Sequence, residues 1–403
     1  MANRLKLERQ VKKDWVEKFL IEYRVQMVDQ DYLRALGLDS EVPSEVLRGL
    51  EQGSRLFEKR LRSGSLIPRL ELDLKEIDTR ADLEIHNYTG SCPTMTYEIN
   101  PVVGCNVGCL YCLVTDGVHE RPMEAYTNYH SYLRGILDKE QGKDHFYYFS
   151  PKTEAFQEAS LQTGIAHNIL RTFIDHYEAY PNSRARLFIA SKAGVDHLRY
   201  KHRGDRIIDL LARLGSRVQF NTSVSIMPAK LRDILEPYGA TIEKRLEAVG
   251  LCQDHGILAE SALVQPIILP YLTEENMHDF FASLKKAGII NYKPEFLTLC
   301  MENLAMIGQL LGSLDKKMEL DLYKSYIGLE NRDHKKQRDR TAPSKALSRQ
   351  GLERLMKVSS QYGLTTSICY WVRQQLRISE DEIPIINKNG YQCLGYQTRL
   401  FNS

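Results

Sequence analysis

Apolar residues recur first at helical spacing. Val11, Trp15, Phe19, Leu20 and Tyr23 share one face against Lys, Arg and Glu, predicting helix from residue 1 to about 38. A second helix is expected from Ser44, with Ser44 as its N-cap, to Arg62, where Gly64 stops it. From residue 95 the rhythm changes to short β-type runs: Met95–Asn100, His145–Phe149, Ala185–Ala190, Arg217–Thr222, Leu258–Ile268 and Lys293–Leu299. Amphipathic segments lie between them, near Leu161–Tyr177, Arg206–Leu214, Glu243–His255 and Glu274–Ala287. Strands alternating with helices predict a parallel sheet with crossover connections. Six units in roughly 200 residues fit an α/β fold of the partial (β/α)6 TIM type better than a closed eightfold barrel. The expected division is an N-terminal helical region (1–90), the barrel (91–312) and a C-terminal α/β extension or cap (313–403). That extension carries a charged helix, a basic segment (Arg332 to Arg340), a helix over Ser348–Tyr362 and a final strand near Ser367–Val372.

Composition narrows the function classes. In 403 residues the hydrophobic share is 43% and the charged share 26%, ordinary for a globular protein with a sizeable core. Lys and Arg number 54 against 52 Asp and Glu, a formal net charge of +2. That balance supplies no strong phosphate-steering field, so a small-molecule substrate is expected rather than nucleic acid. No run approaches the ~18 apolar residues of a membrane span. The charged first residues lack an apolar leader segment, so no membrane association and a cytoplasmic location are expected. Eight cysteines in such a chain read as thiols in a reducing compartment.

Three of those cysteines are clustered. Gly104-Cys105-Asn106-Val107-Gly108-Cys109-Leu110-Tyr111-Cys112 follows the first β run with the spacing C-x3-C-x2-C. Chance places such a pattern roughly 0.003 times in a chain of this composition. Zinc is one occupant, but it wants four ligands, and Cys92 or His119 would have to supply the fourth. An iron–sulfur cluster on three thiolates, with one iron open to a non-protein ligand, is the other. Gly104 and Gly108 permit the tight loop that wraps a bulky group.

The motif, with an aromatic Tyr111 before its third cysteine, resembles the radical S-adenosylmethionine (radical SAM) superfamily signature. The resemblance spans about residues 95–300 and is most similar to the spore photoproduct lyase branch. It rests on Glu98-Ile99-Asn100-Pro101, Phe188-Ile189-Ala190-Ser191-Lys192, Glu236-Pro237, Lys244-Arg245-Leu246-Glu247-Ala248 and Val264-Gln265-Pro266-Ile267-Ile268-Leu269-Pro270. It implies that Cys105, Cys109 and Cys112 hold a [4Fe–4S] cluster whose fourth iron is chelated by SAM. One electron, from an external flavodoxin- or ferredoxin-type donor, would then release methionine and a hydrogen-abstracting 5′-deoxyadenosyl radical.

Chemistry in a parallel barrel gathers at the C-terminal ends of its strands. Ser150, Lys152, Thr153 and Glu154 follow the second run, where a carboxylate or hydroxyl suits the SAM ammonium. Lys192 ends the third and suits the SAM carboxylate or ribose, while Asn221, Ser223 and Ser225 end the fourth with ribose-binding groups. Arg245 opens a helix and suits a carboxylate. Together with Tyr111 these are the expected cofactor-binding residues.

One feature of the branch is missing. Its lyase uses a hydrogen-donor cysteine just after the second strand, and no cysteine occurs between Cys112 and Cys252. The expected substrate is therefore a small polyol, a sugar or aminocyclitol of natural-product metabolism, with hydrogen taken from a C–H beside a hydroxyl. Dehydrogenation or dehydration would follow; the alternative is a nucleic-acid substrate. Glu154, Glu295 or a lysine is the candidate base, and Cys300, at the end of the sixth run, is the candidate hydrogen donor.

Overall fold

The structure is a computed structural model that describes residues 3–9, 13–68, 70–77, 97–112, 122–143, 145–327 and 340–368, with Val372 and Leu376. Its centre is a sheet of seven parallel strands: β1 (Tyr97–Ile99), β2 (Phe146–Phe149), β3 (Arg186–Ser191), β4 (Val218–Val224), β5 (Ser261–Ile267), β6 (Asn291–Phe296) and β7 (Thr365–Thr366). Each strand pairs with the next in chain order, and among the described residues no ladder joins β7 back to β1. The result is an open, partial TIM-type barrel. Parallel neighbours need a crossover. Helices Tyr129–Lys139, Ile165–Ala179, Ile207–Leu214, Ile242–Asp254, Glu274–Lys286 and Lys345–Gln361 occupy the six crossovers in turn.

The register explains which residues can do chemistry. Glu98 lies opposite Tyr148, Tyr148 opposite Phe188 and Phe188 opposite Gln219, so these four form one row on one face of the sheet. Ser223, Leu263 and Lys293 form a second row on the strands beyond. The other face packs on the crossover helices: Tyr147 stacks on Tyr97 at 5.1 Å and meets Phe173 edge-on at 5.5 Å. Polar side chains on the first face cannot be explained by core packing, because a buried polar group costs free energy unless it has a partner.

Two expectations about strands are corrected. The sheet has seven strands, not six, because the C-terminal part contributes Thr365–Thr366 opposite Asn291 and Tyr292. Asn291 fixes that pairing by donating from Nδ2 to the Thr365 carbonyl (3.2 Å) and to Ser367 Oγ (2.9 Å). The strand therefore lies before the expected Ser367–Val372. The sixth run is also split: β6 ends at Phe296, and Leu299–Cys300 pairs antiparallel with Arg340–Thr341 instead.

The N-terminal region is not one helix to residue 38. Leu5 and Leu7 alternate with charged residues, and Asn3–Lys6 is a strand paired antiparallel with Glu71–Lys75. Helices follow at Asp14–Glu22 and Gln30–Leu36. The extended stretch between them is satisfied from outside: the Gln26 amide donates to Gln309 Oε1 at 2.8 Å and the Val28 amide to Ser54 Oγ at 3.0 Å. Asp29 then starts the second helix by accepting from the Tyr32 amide at 2.8 Å. Helix Ser44–Ser63 matches expectation, with Pro43 rather than Ser44 at the cap position, and packs against Met301–Gly312. That contact is close enough that a Cβ on Gly53 would lie 2.4 Å from the Glu302 carbonyl oxygen. No helix among the described residues is long and apolar enough to cross a membrane. Cys92, His119, Cys369, Cys393 and residues 332–339 of the basic segment lie outside the described residues.

Candidate active site

The loop after β1 carries the three clustered cysteines, and its shape follows from its sequence. Gly104 (φ +93°) and Gly108 (φ +69°) adopt left-handed backbone that a side chain disfavours. A Cβ on Gly108 would also lie 2.6 Å from Pro68 Cγ, so the N-terminal region packs directly on the loop. Gln157 braces its start, accepting from the Asn106 amide (3.0 Å) and donating to the Gly104 carbonyl (3.2 Å). Leu110 and Val107 tie its remainder to the segment after β4 through backbone bonds to Leu235 (2.9 Å) and Tyr238 (3.2 Å).

All three thiols line one cavity of about 300 Å³ at the C-terminal ends of the strands. The same wall receives Tyr111 from the loop, Tyr148, Ser150, Lys152 and Glu154 from β2 and its turn, and Lys192 and Ser223 from the ends of β3 and β4. Gln265, Glu295 and Thr298 close it from the β5 and β6 side. Eleven of the fifteen expected site residues are thus brought together. Asn221 and Ser225 are buried but are not among the lining residues, and two more are held elsewhere. Arg245 is fully buried behind the wall, donating to the Ala240 and Ser223 carbonyls at 2.8 Å each and pairing with Glu236. Its nitrogens are already used by the protein. Cys300 is absent from the lining and caps helix Met301–Gly312, its sulfur accepting from the Asn303 amide at 3.4 Å. The early end of β6 is what carries it away.

The electrostatics are those of a buried ionic site. Glu154 accepts from the Ser191 hydroxyl (2.5 Å) and from the amides of Lys192 (2.7 Å) and Phe156 (3.1 Å). Lys192 donates from Nζ to Ser223 Oγ at 3.3 Å and lies 3.9 Å from Glu236. Burial alone would neutralise Glu236, but Arg245, Lys192 and the Tyr111 hydroxyl outweigh it and hold its pKa at about 2. Burial pushes the Cys105 thiol up to about 12 and raises Cys109 as well. Without a cation these two thiols stay protonated, so a metal must displace their protons on binding.

The donor set fits a cluster better than a single ion. Among the described residues no three Cys, His, Asp or Glu side chains are gathered tightly enough for one metal ion. Thiolates on separate corners of a multi-iron cluster stand further apart than those on one tetrahedral zinc.

Residues 99–284 match the family model for the Radical SAM superfamily. The chain carries a Radical SAM domain over that stretch. It is a radical SAM enzyme, and the superfamily's [4Fe–4S] cluster and SAM are its cofactors. The chain is 25% identical over 253 residues to the uncharacterized protein ORF301 of Acidianus two-tailed virus, spanning 59% of this chain and 80% of that one. Its fold is similar to a point mutant of spore photoproduct lyase, with a TM-score of 0.52 and 14% identity over 81% of this chain and 86% of the other. A second lyase structure, complexed with dinucleoside spore photoproduct, gives a TM-score of 0.50 with the same identity and coverage. At that identity the likeness is one of fold.

Sequence reasoning missed Tyr148 and gave Glu98 and Glu236 no role beyond resemblance. Tyr148 and Glu98 are polar positions within apolar strands, and that alternation was the available signal. Glu98 is buried and paired with Lys152 at 3.0 Å. Nothing local marks Glu236, whose partners are 125 residues upstream at Tyr111 and 9 downstream at Arg245.

Proposed function

We propose that this radical SAM enzyme takes hydrogen from a small polar substrate in the cavity, at a C–H beside a hydroxyl of a sugar or aminocyclitol. Cys105, Cys109 and Cys112 would hold the cluster, and Lys192 and Ser223 would meet the carboxylate and ribose of SAM. When bound, this pair supplies reductive cleavage of SAM to methionine and a 5′-deoxyadenosyl radical.

The observation that carries the substrate reading is the charge arrangement of the wall. Lys152 already faces Glu98, and Lys192, beside Glu236, would go to the SAM carboxylate, so neither cation is left over for a phosphodiester. Glu295 lines the cavity, and no hydrogen bond or ion pair from another described residue engages its carboxylate. A carboxylate so placed attracts an ammonium or hydroxyl and repels a polyanion. Glu295 would take the proton of the hydroxyl beside the radical carbon. Passing one electron from the resulting ketyl to an oxidised flavodoxin- or ferredoxin-type carrier would give a ketone, whereas expelling the adjacent hydroxyl as hydroxide would leave a carbonyl radical that one electron from such a carrier and one proton convert to the dehydrated ketone. Glu154, whose oxygens are filled by Ser191, Lys192 and Phe156, would shape the wall and leave the proton transfer to Glu295.

The test is anaerobic reconstitution, addition of SAM and a strong reductant, and a screen of aminosugars and aminocyclitols for stimulated 5′-deoxyadenosine release. Stimulation that falls at least tenfold in Glu295→Gln, while substrate-free release stays, supports the reading. A second reading, action on nucleic acid, is favoured by the fold shared with the lyase complexed with dinucleoside spore photoproduct. Stimulation by ultraviolet-irradiated DNA alone would replace the first reading with the second.

A further inference from the structure

Glu236 sits where four parts of the site meet, and no part of the superfamily chemistry described above uses it. It is fully buried. One carboxylate oxygen accepts the Tyr111 hydroxyl, from between the second and third cluster cysteines, and the other accepts Arg245. Lys192 lies 3.9 Å away. Arg245 continues to the Ser223 carbonyl at 2.8 Å, and Ser223 Oγ accepts from Lys192 at 3.3 Å. The contacts close a circuit: Glu236, Arg245, Ser223, Lys192 and back to Glu236. Tyr111 is the branch from that circuit into the cysteine loop.

A buried carboxylate persists only with strong partners, and here two cations and a hydroxyl share it. One negative charge against two positive ones leaves an excess positive charge behind the thiols. The charges of Lys192 and Glu236 both reach the Cys109 thiol, Lys192 favouring thiolate and Glu236 opposing it. Hydrogen bonds and charges just outside the ligands tune both ligand orientation and cluster potential.

We propose that Glu236 is a positioning residue: through Tyr111 it sets the cysteine loop, and through Lys192 and Arg245 it sets the charge behind the thiols, so that it tunes the cluster's reduction potential. The proposal rests on the reading that Cys105, Cys109 and Cys112 hold the cluster. Removing the negative charge favours the reduced, more negative cluster, so the midpoint potential moves positive. Removing only the Tyr111 hydroxyl leaves the charges in place but frees the loop.

The experiment compares full-length wild type, Glu236→Gln and Tyr111→Phe, each reconstituted anaerobically and assayed for iron. Midpoint potentials are measured by redox titration, and the reduced cluster is examined by electron paramagnetic resonance with and without SAM. The expected result is a positive shift in Glu236→Gln, with a near wild-type potential but a broadened SAM-bound spectrum in Tyr111→Phe. Full iron with an unchanged potential and spectrum in Glu236→Gln would overturn the proposal. If that variant loses iron, Glu236→Asp decides: recovered iron and potential support a tuning charge, and iron loss in both overturns it in favour of a folding role. Failure of the wild type itself to bind iron would instead sink the underlying cluster reading.

Discussion

The backbone amide of Lys192 donates to Glu154 Oε2 at 2.7 Å, joining the turn after β2 to the end of β3. The neighbouring Ser191 hydroxyl occupies the other oxygen at 2.5 Å. Glu154 therefore holds the peptide from which Lys192 reaches into the cavity. Its carboxylate is a structural acceptor in this arrangement, although it stands in the lining.

Replacing Glu154 with Ala should strand the Lys192 amide and the Ser191 hydroxyl. Hydrogen bonds to a charged group contribute ~1.5–3 kcal/mol each, so a loss of a few kcal/mol is expected. Denaturant unfolding under anaerobic conditions measures it. A loss below that of an ordinary surface substitution would mean that Glu154 is not holding β3.

Gly108→Ala should cripple cluster assembly. Left-handed backbone costs an alanine ~1–2 kcal/mol, and its Cβ would press on the Pro68 ring. The loop must shift, and Cys109 moves with it. Iron content after reconstitution should fall by at least half, whereas Gly142→Ala, with a similar φ of +81° but open space around it, should retain full iron.

Cys300→Ser should leave SAM cleavage and substrate turnover within twofold of wild type, because Cys300 caps a helix outside the cavity and serine caps as well. Cys105→Ala should abolish 5′-deoxyadenosine formation. Turnover lost in Cys300→Ser with intact 5′-deoxyadenosine release would return Cys300 to the role of hydrogen donor.

Acid should destabilise the fold through its buried histidines. Burial lowers His167 and His197 to about 4, the nearby His202 adding to the effect on His167 and the surrounding cations on His197. Both are neutral in the folded protein, while in the unfolded chain they take up protons near 6.5. The unfolded state thus binds more protons between these values, and stability falls as pH drops from about 6.5 to about 4. Urea midpoints measured across that range should decline, and His167→Leu should flatten the decline. An unchanged slope in the variant would remove His167 from the account.

Much of this molecule is legible in its amino-acid order because the signals are local. Period-two and period-3.6 patterning located β1 to β6 and five of the six crossover helices to within a few residues, missing only Tyr129–Lys139, since burial on a sheet or helix imposes those periods. The C-x3-C-x2-C spacing with its two glycines marked the cysteine loop that lines the cavity, because clustered thiols and left-handed turns are properties of short segments. Strand ends likewise marked Ser150, Lys192 and Ser223 as cavity residues, since a parallel sheet presents its C-terminal edge to one place. Tertiary structure alone decided the rest. Asn291 recruited Thr365–Thr366 as a seventh strand, and Gln309 and Ser54 held open the stretch between the first two helices. The bend after Phe296 took Cys300 away from the cavity. Arg245 turned from the cavity to Glu236, and Glu236 to Tyr111, because a buried charge is stable only beside partners that the folded chain brings from elsewhere, and no sequence period encodes that meeting.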